Sequence, residues 1–209
     1  RRGYLWVAST WGLCRYDGVS FTTLSIPEGL PSPNVRLTLE DGNGTLWIGT
    51  NGGVAAYDGR RVVSHAGKGG ALAGTVWSGA VDRHGALWFG TDRGLVSYDG
   101  EKFRTFLRAD GLADDYVYSL FPASDGSIWL GSRGQGVARC TLEPGGRLGN
   151  CRVFTAADGL GHDSVRAITE DRQGTLYFAT RGGGLARFDG QSFTRLTAAD
   201  GLPDDDLYA

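Results

Sequence analysis

One phrase recurs along this chain at a fixed spacing. It reads DGNGTLWIGTNGG from Asp41, DRHGALWFGTDRG from Asp82, SDGSIWLGSRGQG from Ser124 and DRQGTLYFATRGG from Asp171. Upstream, GYLWVASTWG is a looser version of the same phrase. The tryptophans Trp6, Trp47, Trp88 and Trp129 stand 41 residues apart, and Tyr177 takes the same place after a gap of 48. Self-similarity at a period of about 20 to 50 residues is the mark of a solenoid, a propeller or an array. The chain is therefore read as five copies of one unit, with a seven-residue insertion between the fourth and fifth aromatic positions.

The third copy defines the unit. Val76 to Val81 is a short apolar run, and Asp82-Arg83-His84-Gly85 is a turn. ALWFGT is a strand with apolar residues on both faces, as expected of a strand packed on both sides. After a turn at Asp92-Arg93-Gly94, LVSY is a third strand. Asp99-Gly100 reads as a two-residue type I′ hairpin turn, and KFRTFL is the returning fourth strand. RADGLADD then leads to the next copy. Four short antiparallel strands in about 41 residues make a propeller blade. The lack of sustained helical periodicity argues against helical repeats. The Trp is followed by Ile, Phe or Leu and then Gly, which is not the WD-repeat signature. The expected fold is all-β: a β-propeller of five four-stranded repeats forming a single domain over residues 1–209, with the first and last repeats partial.

The stretches EDGNGTLWIGTNGGVAAYDG and EDRQGTLYFATRGGGLARFDGQSFTRLTAADGL resemble the two-component regulator propeller repeat. The shared pattern is an Asp-x-x-Gly turn, Leu-Trp-Ile/Phe-Gly-Thr, Gly-Gly-Leu, Arg-Tyr/Phe-Asp-Gly, Phe, and Asp-Gly-Leu. The resemblance covers essentially the whole chain. It implies a periplasmic or extracellular sensor propeller of a bacterial signalling receptor, attached to a signalling module such as a histidine kinase, with an oligosaccharide or other small polar molecule as ligand. Two departures stand out. Ala123 replaces the turn Asp in the fourth repeat, and HAGKGGALAG replaces the Asp-Gly-Leu loop after the second.

The ends of the chain match internal positions. DDDLYA at 204–209 matches DDYVYS at 114–119, and RRGYLW matches SDGSIW. Joined, they would lack the counterparts of Leu120 to Ala123, so the expectation is a piece of a larger propeller. The chain has no Met, and its start reads as a processed or truncated end.

A net charge of −2 gives no electrostatic reason to expect nucleic acid or an anionic membrane as partner. No apolar run reaches the length of about 18 residues needed to span a bilayer. No cofactor or metal is expected. The Asp-Gly pairs at Asp17, Asp58, Asp99 and Asp189 are read as turns, without the spacing of a calcium loop. His65 is placed in an outermost strand, His84 in a turn and His162 in a between-blade loop, so no two share a loop. Asp114, Asp115, Asp204, Asp205 and Asp206 are read as solvated carboxylates with no pair singled out. The recurring aromatic is read as interblade packing.

The candidate ligand site lies at the end of the blades where the between-blade loops and the loops from second to third strands meet. The second residues of the innermost strands gather there: Arg36, Trp77, Tyr118, Arg166 and Tyr208. From the other loops come Trp11, Asn51, Arg93, Arg133 and Arg181. Aromatic faces stack on sugar rings, and Arg forks to oxygens. A disulfide is expected between Cys140 and Cys151, which flank an extended hairpin in place of the Asp-Gly turn, Cys151 just before the returning strand; such a bridge would fit an oxidising compartment. Cys14 is expected to stay free and partly buried. Two alternatives to a sensor remain open: a carbohydrate-active enzyme or lyase, requiring a convergent acid–base pair with a raised carboxylate pKa, and a protein-interaction scaffold with a broad apolar patch.

Overall fold

The computed structural model describes residues 3–66 and 70–208. Five antiparallel sheets follow one another along the chain. The first has three strands, β1 (Leu5–Ala8), β2 (Leu13–Tyr16) and β3 (Phe21–Leu24). The second comprises β4 (Val35–Glu40), β5 (Leu46–Thr50), β6 (Gly53–Tyr57) and β7 (Val62–Ser64). The third comprises β8 (Val76–Val81), β9 (Leu87–Thr91), β10 (Gly94–Tyr98) and β11 (Phe103–Phe106). The fourth is β12 (Val117–Pro122), β13 (Ser127–Ser132), β14 (Val137–Glu143) and β15 (Arg147–Phe154). The fifth is β16 (Val165–Glu170), β17 (Leu176–Thr180), β18 (Leu185–Phe188) and β19 (Phe193–Leu196). The innermost strands β4, β8, β12 and β16 pack side by side, which is the arrangement of propeller blades about an axis. Leu207 N–H donates to the carbonyl of Thr180 as Val35 N–H does to that of Ser9, so residues 205–208 lie where an innermost strand begins.

The core lies between blades rather than within them. Trp47 packs on Phe89, Tyr98 and Phe103 of the next blade, and Trp129 on Phe178 and Phe188. Trp88 is fully buried in a cluster that spans the third and fourth blades. The indole N–H groups are capped from the turn before: Asp41 Oδ2 accepts from Trp47 at 2.9 Å and Asp82 Oδ2 from Trp88 at 2.8 Å. Tyr177 donates its hydroxyl to Asp171 in the same way. Ala123 has no carboxylate to offer, and Trp129 Nε1 is buried without a hydrogen-bond partner among the described residues.

The Gly after each Trp phrase also has a packing reason. A Cβ on Gly49, Gly90 or Gly131 would come within about 2.9 Å of the next blade's Val76, Val117 or Val165. The following hydroxyl closes the turn, with Thr50 donating to Gly53 O, Thr91 to Gly94 O and Thr180 to Gly184 O. Leu112 and Leu160 of the Asp-Gly-Leu loops are buried.

Two local expectations in this region need correction, those for the Asp-Gly turns and for His65. The Asp-Gly hairpins are not type I′ turns: no described residue other than Gly has positive φ. Tyr98 pairs with Phe103 across a four-residue loop, and Asp99 Oδ1 accepts from the N–H groups of Glu101 and Lys102. That double acceptance holds Asp99 at negative φ, and Gly100 alone takes the left-handed conformation (φ 100°). His65 follows β7 instead of lying in it, stacked on Trp47 at 5.3 Å. The replaced loop HAGKGGALAG includes residues 67–69, which lie outside the described residues; its end forms a short 3-10 turn, Gly70–Ala73.

The seven inserted residues lengthen β14 and β15. Cys140 and Cys151 stand opposite each other and form a disulfide, their Cα atoms 4.0 Å apart. Cys151 lies inside the returning strand, which starts at Arg147, not just before it. In the first, third and fifth blades this position holds a close aromatic pair, Tyr16–Phe21, Tyr98–Phe103 and Phe188–Phe193. Cys14 is free and partly buried. The tip of the hairpin folds back onto the third blade. Gly146 O accepts from Ser97 Oγ at 2.6 Å, Gly145 O from Arg104 at 2.7 Å, and Leu142 and Leu148 join the cluster around Trp88.

Candidate functional site

Nearly every residue that repeats from copy to copy has now been given a structural task. The residues that vary are concentrated at the end where between-blade loops meet the turns from second to third strands. There the structure assembles a continuous arc of aromatic and cationic side chains. Arg36 Nε donates to Asn51 Oδ1 at 2.6 Å and its guanidinium lies 4.3 Å over the Trp77 ring. Trp77 stacks on Tyr118 at 5.2 Å and packs on Tyr116 at 5.7 Å. Arg133 lies 5.5 Å over Tyr116. Each of these residues leaves the first turn of an innermost strand or the facing loop, so consecutive blades place them side by side.

The arc continues in the fifth blade. Arg166 donates to Asp206 Oδ1 at 2.8 Å and to Leu207 O, and lies 3.9 Å over Tyr208. A cleft of about 430 Å³ opens between these groups, lined by Arg133, His162, Ser164, Arg181, Gly182 and Asp206. Burial pushes the Tyr116 hydroxyl above its usual range, partly opposed by the charge on Arg133, so at neutral pH it is a neutral phenol.

Of the residues expected at this end, Arg36, Asn51, Trp77, Tyr118, Arg133, Arg166, Arg181 and Tyr208 fall in the arc or its cleft. Trp11 stands apart, 83% exposed on the first blade. Arg93 is exposed in the β9–β10 turn, its backbone N–H bonded to Thr91 Oγ1. Two residues were missed. Tyr116 immediately precedes β12, where the register is irregular, and its ring lies 6.4 Å from that of Tyr118 and nearly parallel to it. His162 reaches the cleft from the between-blade loop that precedes β16.

The loop carboxylates are mostly occupied by the backbone. Asp115, Asp163 and Asp205 accept from the N–H groups of Arg108, Ala156 and Ala198, and Asp92 accepts from Thr75. Among the described residues no group of three or more His, Cys, Asp or Glu could hold a metal ion. Seven aspartates titrate below their usual range: Asp17, Asp58, Asp99, Asp125, Asp171, Asp189 and Asp200. At Asp17, Asp58, Asp99, Asp189 and Asp200 backbone N–H groups are the leading cause; at Asp125 and Asp171 burial pushes up and the hydrogen bonds outweigh it.

A second cleft, about 440 Å³, opens at the opposite end and is lined by Tyr4, Trp6, Arg15, Glu40 and Tyr57 among others. It runs along β1. Trp6 corresponds to Trp47, whose ring the following blades bury, so this surface is of the interblade packing kind.

Comparison with known proteins agrees with the geometry. The two component regulator propeller family matches at residues 29–52, 111–134 and 159–182. No curated protein matches the chain. Among solved structures, the chain is similar to an extracellular domain whose name assigns it to a hybrid two component system, BT3049, from B. thetaiotaomicron. The TM-score is 0.80 at 24% identity, covering 99% of this chain and 29% of that one. Virginiamycin B lyase from Staphylococcus aureus gives a TM-score of 0.68 at 15% identity, covering 97% of this chain and 69% of that one. PorZ, a surface component of the type-IX secretion system of Porphyromonas gingivalis, gives 0.64 at 18% identity, covering 90% and 31%. These likenesses show a propeller fold, and three of the chain's repeats match the two component regulator propeller family.

Proposed function

We propose that this chain is the ligand-recognition part of a receptor, and that its ligand seats on the arc at the between-blade end. The observation that carries this reading is the stacked run Arg36–Trp77–Tyr118, extended by Tyr116 and Arg133. Flat aromatic faces beside guanidinium forks suit a saccharide or another small polar molecule. A rigid scaffold presenting variable loops is where binding residues concentrate. Ligand occupancy would be reported to an attached signalling module outside this chain, in a periplasmic or extracellular setting. The likeness to an extracellular receptor domain and the Cys140–Cys151 disulfide support that setting. Among the described residues no helix is long and apolar enough to cross a membrane.

The reading is of binding without catalysis. A carboxylate acting as general acid at neutral pH needs a raised pKa, and the displaced carboxylates here move down because they accept hydrogen bonds at turns. The test is the pair Trp77→Ala and Tyr118→Ala in the complete receptor. Ligand response should weaken while the fold, read by circular dichroism, is kept. An undiminished response, or a ligand found on the Asp-Gly hairpin end, would overturn the proposal.

A further inference from the structure

We infer that the ligand of this end carries an anionic group, held in the cleft by Arg133 and Arg181 with the ring N–H of His162. The inference deepens the reading above and rests on it for the location of the ligand. Its basis is the make-up of the cleft lining, where two arginines and a histidine stand against one carboxylate. Among the described residues Asp206 is the one carboxylate lining the cleft, and it is already taken by Arg166 at 2.8 Å. The carboxylates of the neighbouring loops, Asp163 and Asp205, accept from backbone N–H groups. Among the described residues, neither Arg133 nor Arg181 pairs with a carboxylate, and both are exposed.

His162 adds a third donor. Its Nδ1 accepts the N–H of Ser164 at 2.9 Å, so in the neutral ring the proton sits on Nε2. Two guanidinium groups that are always charged and one imidazole N–H thus line a cleft whose only acid is engaged elsewhere. Such a set complements an oxyanion: a carboxylate, a sulfate ester or a phosphate ester. Arg133 also fixes where the rest of the ligand goes, because it lies over Tyr116 at the start of the aromatic run. A sugar acid would place its charge in the cleft and its ring on Tyr116 and Tyr118.

The experiment uses three probes on the intact chain: glucuronate, glucose and inorganic sulfate, titrated by NMR with side-chain labels on Arg, His and the aromatics. Glucuronate should shift Arg133, Arg181, His162 and Tyr116 signals saturably. Sulfate should shift the first three and leave Tyr116 in place, and glucose should shift none of the cationic groups. The difference between sulfate and glucuronate tells a bare anion from a sugar acid. The R133Q/R181Q double variant should weaken glucuronate binding about tenfold or more, with an unchanged amide spectrum reporting the fold. The inference is overturned if glucose matches glucuronate, if the double variant binds glucuronate as tightly as the parent, or if glucuronate and sulfate leave the two arginines unshifted. If receptor response survives Trp77→Ala with Tyr118→Ala while glucuronate still requires Arg133 and Arg181, the aromatic seat fails and the anion seat stands.

Discussion

Replacing Asp82 by Ala tests why the repeated phrase begins with Asp. The carboxylate is 6% exposed. Its Oδ1 accepts from the N–H groups of His84 at 2.8 Å and Ala86 at 3.0 Å, and its Oδ2 from Trp88 Nε1 at 2.8 Å. Ala86 and Trp88 are buried, so their donors have no route to water once the carboxylate is gone. A buried donor left unpaired costs about 1–3 kcal/mol, and two put the loss at about 2–6 kcal/mol. With about 3 kcal/mol as a working value, a domain of this size loses about 6–12 °C in its unfolding midpoint. Thermal and urea unfolding of Asp82→Ala give the total, and a double-mutant cycle with Trp88→Phe isolates the indole share. In the Trp88→Phe background the cost of Asp82→Ala should shrink by about 1–3 kcal/mol, because no indole donor remains. An Asp82→Ala effect within about 0.5 kcal/mol of zero, or one of equal size in both backgrounds, would refute the reasoning.

Three further outcomes are expected. Gly90→Ala should destabilise by about 1–3 kcal/mol in urea unfolding, because the new Cβ meets Val117 of the next blade at 2.9 Å and the backbone must shift. Cys140→Ser with Cys151→Ser should cost about 3 kcal/mol in the chain-entropy picture, and unreduced protein from its native source should yield one labelled thiol after denaturation, Cys14, rather than three. Stability should fall in acid: the seven aspartates with depressed folded pKa values stabilise the fold above the unfolded carboxylate value of about 3.9, and that contribution is lost as pH drops through their folded values. Urea midpoints should therefore be flat from neutral pH to about 5 and decline below about 4, and a midpoint that rises on acidification would contradict the turn-capping role.

The fold was legible because its information is periodic. Strand alternation recurs in every copy, and Gly at the close approach to the next blade and Asp at the turn each recur in three of the five, so position in the unit can be read by comparing copies. What stayed hidden was geometry that depends on a side chain meeting backbone. Asp99 was assigned to a two-residue turn because Asp-Gly permits one; its carboxylate instead collects two N–H groups and spreads the turn over four residues. Likewise, Cys140 aligns with Tyr16 from the sequence, but that Cys151 takes the place of the partner aromatic needs the register, since the insertion hides its equivalence to Phe103. Topology alone brings most of the expected residues together at the between-blade end. Tyr116 and His162 were not found this way, because membership there depends on which way a loop side chain turns.

The lengthened hairpin of the fourth blade changes how the blades can come apart. In a repeat protein each unit touches mainly its neighbours, and opening proceeds at the weakest boundary. Here Ser97 and Arg104 reach the hairpin tip, and Leu142 and Leu148 are sunk beside Trp88, so the boundary between the third and fourth blades carries contacts that the other boundaries lack. The third and fourth blades are therefore expected to open as one cooperative block, with backbone amides of β9 and β13 exchanging with solvent at a common, slow rate. The aromatic run from Trp77 to Tyr118 is carried by the innermost strands of those same two blades. The hairpin tip thus ties those two blades together at the outer rim, and the proposed ligand, if it bridges them, would meet a surface already set in place before it arrives.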